Sequence, residues 1–140
     1  MIVLSKDRNW YRAALRLIGD GLPVEEIETK LGIKPSSLGI KGNLVRENPK
    51  YGKYPTNVWT LDSDTNSDVP FEEQITILLD LFEPKIEFIK EILALPGVKG
   101  ELFLGSDIDS DSVFFSRELS ERIAYFGLSI DLDLYPLDSK

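Results

Sequence analysis

Two Asp-rich turns carry the residue spacing that is most suggestive of chemistry. Each places oxygen-bearing side chains at the first, third, fifth and twelfth positions, which are the ligand offsets of an EF-hand calcium loop. Calcium takes about six to eight oxygen ligands, so a turn of this kind running into a helix could surround the ion. The two sets are Asp107, Asp109, Asp111 and Glu118, and Asp62, Asp64, Asn66 and Glu73.

Neither turn matches the calcium loop in full. Ser112 and Ser67 stand where the sharp bend of that loop needs glycine, and both turns follow predicted strands instead of helices. An Asp-rich turn before a helix with Glu in its first turn produces the same spacing from turn and helix-dipole preferences alone. We therefore exclude an EF-hand fold and keep the set that begins at Asp107 as a metal-site alternative.

The composition excludes most of the common kinds of catalytic site. The 140 residues contain no cysteine and no histidine, so disulfides, thiol nucleophiles, His-containing triads and most zinc sites cannot form. The sequence also lacks a phosphate-binding glycine fingerprint and a G-x-S-x-G elbow. We expect no cofactor and no catalytic residue, with a carboxylate-based, metal-dependent enzyme as the alternative.

The candidate residues are positioned by alternating strands and helices. Alternation of apolar and polar residues predicts strands at 10–18, 57–61, 98–104 and 128–135. Apolar residues three to four apart predict helices at 23–31, 71–93 and 117–126. Pro84 removes a backbone donor in the middle of the long pattern, so that helix should kink or split there. Gly32 and Gly127 are placed to end the flanking helices.

The last strand alternates most strictly. Its members on one side are Leu128, Ile130, Leu132 and Leu134, and on the other Ser129, Asp131, Asp133 and Tyr135. Such a pattern predicts a sheet with one face covered by helices and one face in solvent. The element order predicts a single α+β domain over 1–140, with its core at about 10–135. We expect a two-layer sandwich, with a mixed, mostly antiparallel sheet of four to five strands and helices on one face; a ferredoxin-like arrangement also fits this order.

The solvent face of this sheet is the first candidate binding surface. Aromatic side chains beside arginines are what the centres of protein interfaces favour. Alternatively, Arg12 and Arg16 pair internally with Asp131 and Asp133 across neighbouring strands, and the two interpretations are compatible. The predicted partner-binding residues are Trp10, Arg12, Arg16, Phe103, Asp131, Asp133 and Tyr135.

A basic segment at 34–56 is the second candidate. Three glycines and three prolines predict a long irregular loop, and loops of this length in compact domains are usually functional or mobile. Its cations are Lys34, Lys41, Arg46, Lys50 and Lys53. With Tyr51 and Tyr54 they could hold an anion or single-stranded nucleic acid. A solvated loop is the plainer interpretation, since the rest of the chain is acidic.

The net charge of −8 is unevenly distributed. Residues 1–61 contain ten basic and six acidic side chains, whereas residues 62–140 contain six basic and eighteen acidic ones. An acidic total disfavours nucleic acid and anionic membranes and suits a basic protein or a cation. No long apolar run or secretory leader is evident. We therefore expect a cytoplasmic protein with a protein partner, and the sequence leaves the oligomeric state open.

Several short motifs together resemble a known family. They are YRAALRLIGD at 11–20, LG at 31–32 followed by Pro35, KG at 41–42, VWTL at 58–61, LFEPK at 81–85, ELF at 101–103 and LSIDLDLY at 128–135. In order and spacing they resemble the bacterial domain of unknown function 4279 family over about 10–135. The resemblance implies no activity, cofactor or site residue. Small acidic bacterial domains of this kind are sometimes suggested to be immunity proteins, so we predict a non-catalytic protein-interaction module, with an immunity-type inhibitor as one form of it.

Overall fold

The computed structural model describes residues 10–107 and 113–134. The strands are β1 (Tyr11–Ile18), β2 (Ser37–Gly39), β3 (Val58–Asp62), β4 (Lys99–Ser106) and β5 (Leu128–Leu134). The helices are α1 (Val24–Leu31), α2 (Phe71–Phe82), α3 (Ile86–Leu93) and α4 (Arg117–Phe126). The predicted α+β class is confirmed. None of the described helices is long and apolar enough to span a membrane.

The sheet has the strand order β2-β3-β1-β4-β5. Strand β1 is central and antiparallel to both β3 and β4, β2 is antiparallel to β3, and only β4 and β5 are parallel. Within this register Leu15 lies between Leu61 and Leu102. The structure confirms a mixed, mostly antiparallel sheet and supplies the strand order that the sequence had left open.

The helices bury one face of this sheet. Leu15 and Leu17 of β1 and Trp59 of β3 are fully buried in one cluster with Ile75 and Phe82 of α2. The rings of Trp59 and Phe82 meet edge to face, with centroids 6.0 Å apart. Burying a large apolar side chain contributes about 1.5–3 kcal/mol, so this layer supplies most of the driving force for folding.

Local signals account for the helix boundaries. Helix α1 ends at Gly32, whose φ of 70° is the left-handed conformation that glycine adopts easily. Helix α4 begins after Ser116, whose Oγ accepts the N–H of Leu119, and ends at Gly127. A short 3-10 turn over Glu83–Lys85 separates α2 from α3, which confirms the predicted break at Pro84.

The prediction of a wholly irregular loop over 34–56 is wrong. Ser37–Gly39 form β2, and a β-bridge joins Leu44 to Lys53. Two short 3-10 turns lie between the bridged residues, at Val45–Glu47 and Pro49–Tyr51. A strand of three residues is too short for alternation to reveal it, because pairing with β3 and not local pattern creates it.

The apolar side of β5 departs further from the sequence pattern. Leu128 is buried, as predicted, but Ile130, Leu132 and Leu134 remain 44%, 40% and 45% exposed. The buried cluster draws several residues from β1 and β4 but only Leu128 from β5. The prediction of one helix-covered face holds for the sheet, but this cover is incomplete at the outer part of β5, since alternation marks a face without showing what packs on it.

Candidate functional site

The side of the sheet opposite the helices, which we call the open face, carries two arginines stacked on one aromatic ring. Its residues include Trp10, Arg12, Ala14, Arg16, Thr60, Asp62, Glu101, Phe103, Gly105, Asp131 and Asp133, with Ile18, Val58, Lys99 and Ser129 on the same face. The guanidinium carbons of Arg16 and Arg12 lie 4.2 and 5.5 Å from the centroid of the Phe103 ring. Phe103 is consequently only 4% exposed although no helix of the buried cluster covers it.

Small residues make room for this stack. The ring of Phe103 projects from the position opposite Ala14, and Gly105 lies opposite Arg12. A side-chain carbon at Gly105 would come within 3.3 Å of the Phe103 ring and 3.6 Å of Trp10. Each cation–π contact contributes about 0.5–2 kcal/mol, more as water is excluded. The stack is therefore a preorganised layer and not a set of loose surface side chains.

Carboxylates border the two arginines on both sides. Arg12 Nη2 lies 3.1 Å from Asp62 Oδ1 on β3. Arg16 Nη1 lies 3.4 Å from Glu101 Oε2 on β4 and 3.9 Å from Asp131 Oδ2 on β5. The predicted pairing of Arg16 with Asp131 is thus present. The prediction that these strands are neighbours is wrong, because β4 lies between β1 and β5: Arg16 reaches Asp131 across β4, and Arg12 pairs with Asp62 on the adjacent β3.

The structure brings most of the predicted partner-binding residues together. Arg12, Arg16, Phe103 and Asp131 form one cluster, with Asp133 on the same face. Trp10 lies at its border, where its backbone N–H donates to Asp107 Oδ1 at 2.8 Å. Tyr135 lies outside the described residues. Whether this cluster binds a partner stays a prediction.

The metal-site alternative is only partly visible. Asp107 is buried, and its bond to the Trp10 N–H joins the end of β4 to the start of β1. Glu118 is exposed in the first turn of α4, and Asp109 and Asp111 fall outside the described residues. Within residues 10–107 and 113–134, no three acidic side chains are grouped so that they could hold a metal ion.

A buried glutamine, which the sequence patterns did not single out, connects α2 to the start of β1. Gln74 is 1% exposed. Its Oε1 accepts from the Ala13 N–H at 2.9 Å and from Ser63 Oγ at 2.7 Å, and its Nε2 donates to the carbonyls of Tyr11 and Val69. A polar residue at an apolar-stripe position of α2 was the available signal, because a buried amide must be hydrogen-bonded.

A cleft of about 550 Å³ opens beside this glutamine, at the ends of β1 and β3. Its polar walls include the Arg12–Asp62 pair, Ser63 and Asp64. Both polar atoms of the Gln74 side chain already bond within the protein, so it offers little to a ligand. The charged side chains in these walls can recognise charge in a ligand.

The cations of the basic segment lie at the opposite edge of the sheet from β5. Lys41 Nζ is 2.9 Å from Asp20 Oδ2, and hydrogen bonds from Thr56 and Lys41 lower the pKa of Asp20 below its ordinary value. Arg46 and Lys50 both lie over the Tyr51 ring, at 5.4 and 5.9 Å. The remaining two, Lys34 and Lys53, are exposed. Among the described residues, no contact brings all five cations together into one anion-binding site.

Comparison with known proteins adds a family but no chemistry. The sequence model of a family described as a domain of unknown function (DUF4279) matches residues 8–137. No curated protein and no solved structure matches the chain.

Proposed function

The chain belongs to the DUF4279 family, whose function is unknown, and from its open face we propose that it is a protein-interaction domain that binds a basic partner. The observation that carries the proposal is the stack of Arg12 and Arg16 on Phe103, bordered by carboxylates of β3, β4 and β5. Arginine and aromatic residues are enriched where interfaces gain most of their binding energy.

The rigidity of the stack favours binding over mere solvation. Side chains that are already held by ring contacts and ion pairs lose little conformational freedom when a partner covers them. Arg12 and Asp131 keep much of their side chains exposed despite these contacts. They can therefore form further bonds to a partner without first breaking a buried network.

Charge determines which partner suits this face. Residues 62–140 contain eighteen acidic and six basic side chains, and they supply β3 carboxylate Asp62 as well as all of β4 and β5. An acidic surface raises the association rate of a basic partner and repels acidic ones. An immunity-type inhibitor of a basic toxin is one form of this proposal.

The test compares two variants with equal net charge. The face variant combines Arg12→Glu with Asp131→Lys. The control combines Arg117→Glu with Glu121→Lys, an exposed ion pair on α4. Each immobilised protein is exposed to lysate of the source organism at about 50 mM salt and eluted at about 300 mM, since charged contacts weaken as the Debye length falls. Thermal melts verify that both variants fold.

We expect one basic protein to be retained by the wild type and the control and lost from the face variant. Retention that survives in a folded face variant would refute the open face as the binding site. Retention of nothing by any of the three would remove the support for a partner.

The metal alternative has its own test. A cation that binds only the native state raises the melting temperature by mass action. We expect millimolar calcium, magnesium or manganese to leave the melting temperature unchanged. A rise that Asp107→Asn abolishes would instead favour the divalent-cation site.

A further inference from the structure

Strand β5 is a long strand at one edge of the sheet. It pairs with β4 residue by residue, from Gly100–Leu128 to Ser106–Leu134, with no bulge. Among the described residues, no strand pairs with its outer side. Proteins normally blunt such edges with charged side chains, especially Lys, or with Pro, bulges or very short strands. Its seven residues, LSIDLDL, contain no Lys and no Pro, and their charges are those of two aspartates.

The two faces of β5 differ in chemistry. On the helix side, Ile130, Leu132 and Leu134 form an exposed apolar stripe. On the open face, Asp131 lies beside Phe103 and Asp133 beside Gly105. Whatever pairs with this edge must therefore meet apolar groups on one side and carboxylates on the other, because side chains alternate along a strand.

The local charge on the open face is negative. Arg16 is shared between Glu101 and Asp131, at 3.4 and 3.9 Å, so one guanidinium serves two carboxylates. The Asp131 side chain is still 44% exposed. Asp133 extends the same row by one further position along the strand. A cation that arrives beside Asp131 can add to the contact that this half-exposed carboxylate already makes with Arg16.

A second copy of the chain fits this edge poorly. Two β5 strands related by a twofold axis perpendicular to the sheet would pair antiparallel and keep each face on the same side. Asp131 of one copy would then oppose Asp131 or Asp133 of the other, or lie diagonal to it. Like charges placed opposite each other across strands are destabilising.

We propose that β5 binds, by strand addition, an extended partner segment in which Lys or Arg alternate with Val, Ile or Leu. The inference rests on the proposed function and names the chemistry of its partner. Backbone hydrogen bonds to the outer edge of β5 provide affinity, and alternate side chains provide specificity. The basic residues lie over Asp131 and Asp133, and the apolar residues cover Ile130, Leu132 and Leu134.

Fluorescence anisotropy with the full chain tests the pattern. The probes are labelled peptides of seven residues, the length of β5. One alternates Lys with Val, a second has the same composition in two blocks, and a third replaces Lys by Glu. We expect the alternating basic peptide to bind about tenfold or more tightly than either of the others, because only it meets both faces of the strand.

Backbone methylation tests the mode of binding. An extended peptide directs alternate N–H groups to opposite edges. Methylating the amides of one edge of the alternating peptide should weaken binding more than about tenfold, while methylating the other edge should have little effect. Equal effects from the two peptides would overturn strand addition.

Matched variants locate the site. Leu132→Lys should weaken binding of the alternating peptide, whereas Leu38→Lys, an equally exposed leucine on β2, should not. Asp131→Asn should weaken it about two- to fivefold, as expected for one cross-strand charge pair, and Glu26→Gln on α1 should leave it unchanged. Equal losses in test and control variants would contradict binding at β5.

The outcomes separate this inference from the proposed function. If basic peptides bind regardless of order and methylation, the acidic face binds cations but strand addition is wrong. If no basic peptide binds and sedimentation shows a dimer that Leu132→Lys dissociates, the occupant is a second copy. If no basic peptide binds, the chain is monomeric and the lysate experiment is also negative, the proposed function fails as well.

Discussion

The two edges of the sheet are built in opposite ways. Strand β2 has three residues, and the segment that follows it folds back through the Leu44–Lys53 bridge. The Tyr54 ring packs on Gly39, where any added side-chain carbon would come closer than 3.0 Å to three ring atoms. Strand β5 has seven residues and an exposed apolar stripe. One edge strand is short and has a tyrosine ring packed on its face, and the other is long with a half-exposed apolar stripe.

Charge separates the same two edges. Lys41, Arg46, Lys50 and Lys53 follow β2, whereas Asp131 and Asp133 belong to β5. Cations at an edge are a common protection against unwanted pairing. The unequal charge of the two halves of the sequence therefore becomes a difference in charge between the two edges of the sheet.

We expect the largest effect from removing the buried amide of Gln74, which bonds to the backbone of the central strand β1. Gln74→Ala would leave the Ala13 N–H and the Tyr11 and Val69 carbonyls without this partner. Unpaired buried polar groups are costly, so we expect a loss of about 2–4 kcal/mol in unfolding free energy by urea denaturation. Thr76→Ala, an exposed position on the same helix, is the control. A loss below about 0.5 kcal/mol would show that this amide does not hold the sheet to α2.

Two leucines of β5 test the contrast between the buried start of this strand and its exposed outer part. Leu128→Ala should lower the free energy of unfolding by about 2–4 kcal/mol, because Leu128 packs in the core. Leu132→Ala should cost about 1 kcal/mol or less, because Leu132 is 40% exposed. Equal losses, measured by chemical denaturation, would mean that the outer part of β5 is covered in solution.

The packing of the Tyr54 ring on β2 can be disturbed by substituting Gly39. Gly39→Ala forces the Tyr54 ring away from β2, and we expect a loss of about 1–3 kcal/mol, as for other overpacked sites. Gly21→Ala meets no such obstacle, with its nearest atom 3.8 Å away, and serves as the control. An unchanged melting temperature in Gly39→Ala would contradict close packing of the Tyr54 ring on Gly39.

The smallest effect concerns acid sensitivity near the basic segment. Hydrogen bonds from Thr56 and Lys41 lower the pKa of Asp20 below 3.8. Because the folded state favours the ionised carboxylate, Asp20 stabilises the fold above pH 3.8, and this contribution is lost as the pH falls through the lowered value. Asp20→Asn should therefore be slightly less stable than the wild type at neutral pH and equal to it in strong acid. Melts from pH 2 to 7, with Asp68→Asn as the control, test this; a difference that grows on acidification would reverse the assignment.

Much of the local structure followed from the sequence. The α4 cap at Ser116, the helix ends at Gly32 and Gly127 and the break at Pro84 lie where the sequence predicts them. These features depend on backbone sterics and on bonds between residues a few positions apart, which any chain segment carries within itself. Alternation likewise identified the residues of the open face before their neighbours were known.

The tertiary structure determined which residues lie next to those of the open face. Strand order placed Asp62 beside Arg12, left Ile130 and Leu132 outside the helix layer and turned Ser37–Gly39 into an edge strand. It also buried Gln74 against the backbone of β1. The sequence by itself determined the longer elements and their faces, because those follow from local geometry. Only the fold decided the strand β2, the strand order and which faces are covered, because these depend on contacts between residues far apart in the chain.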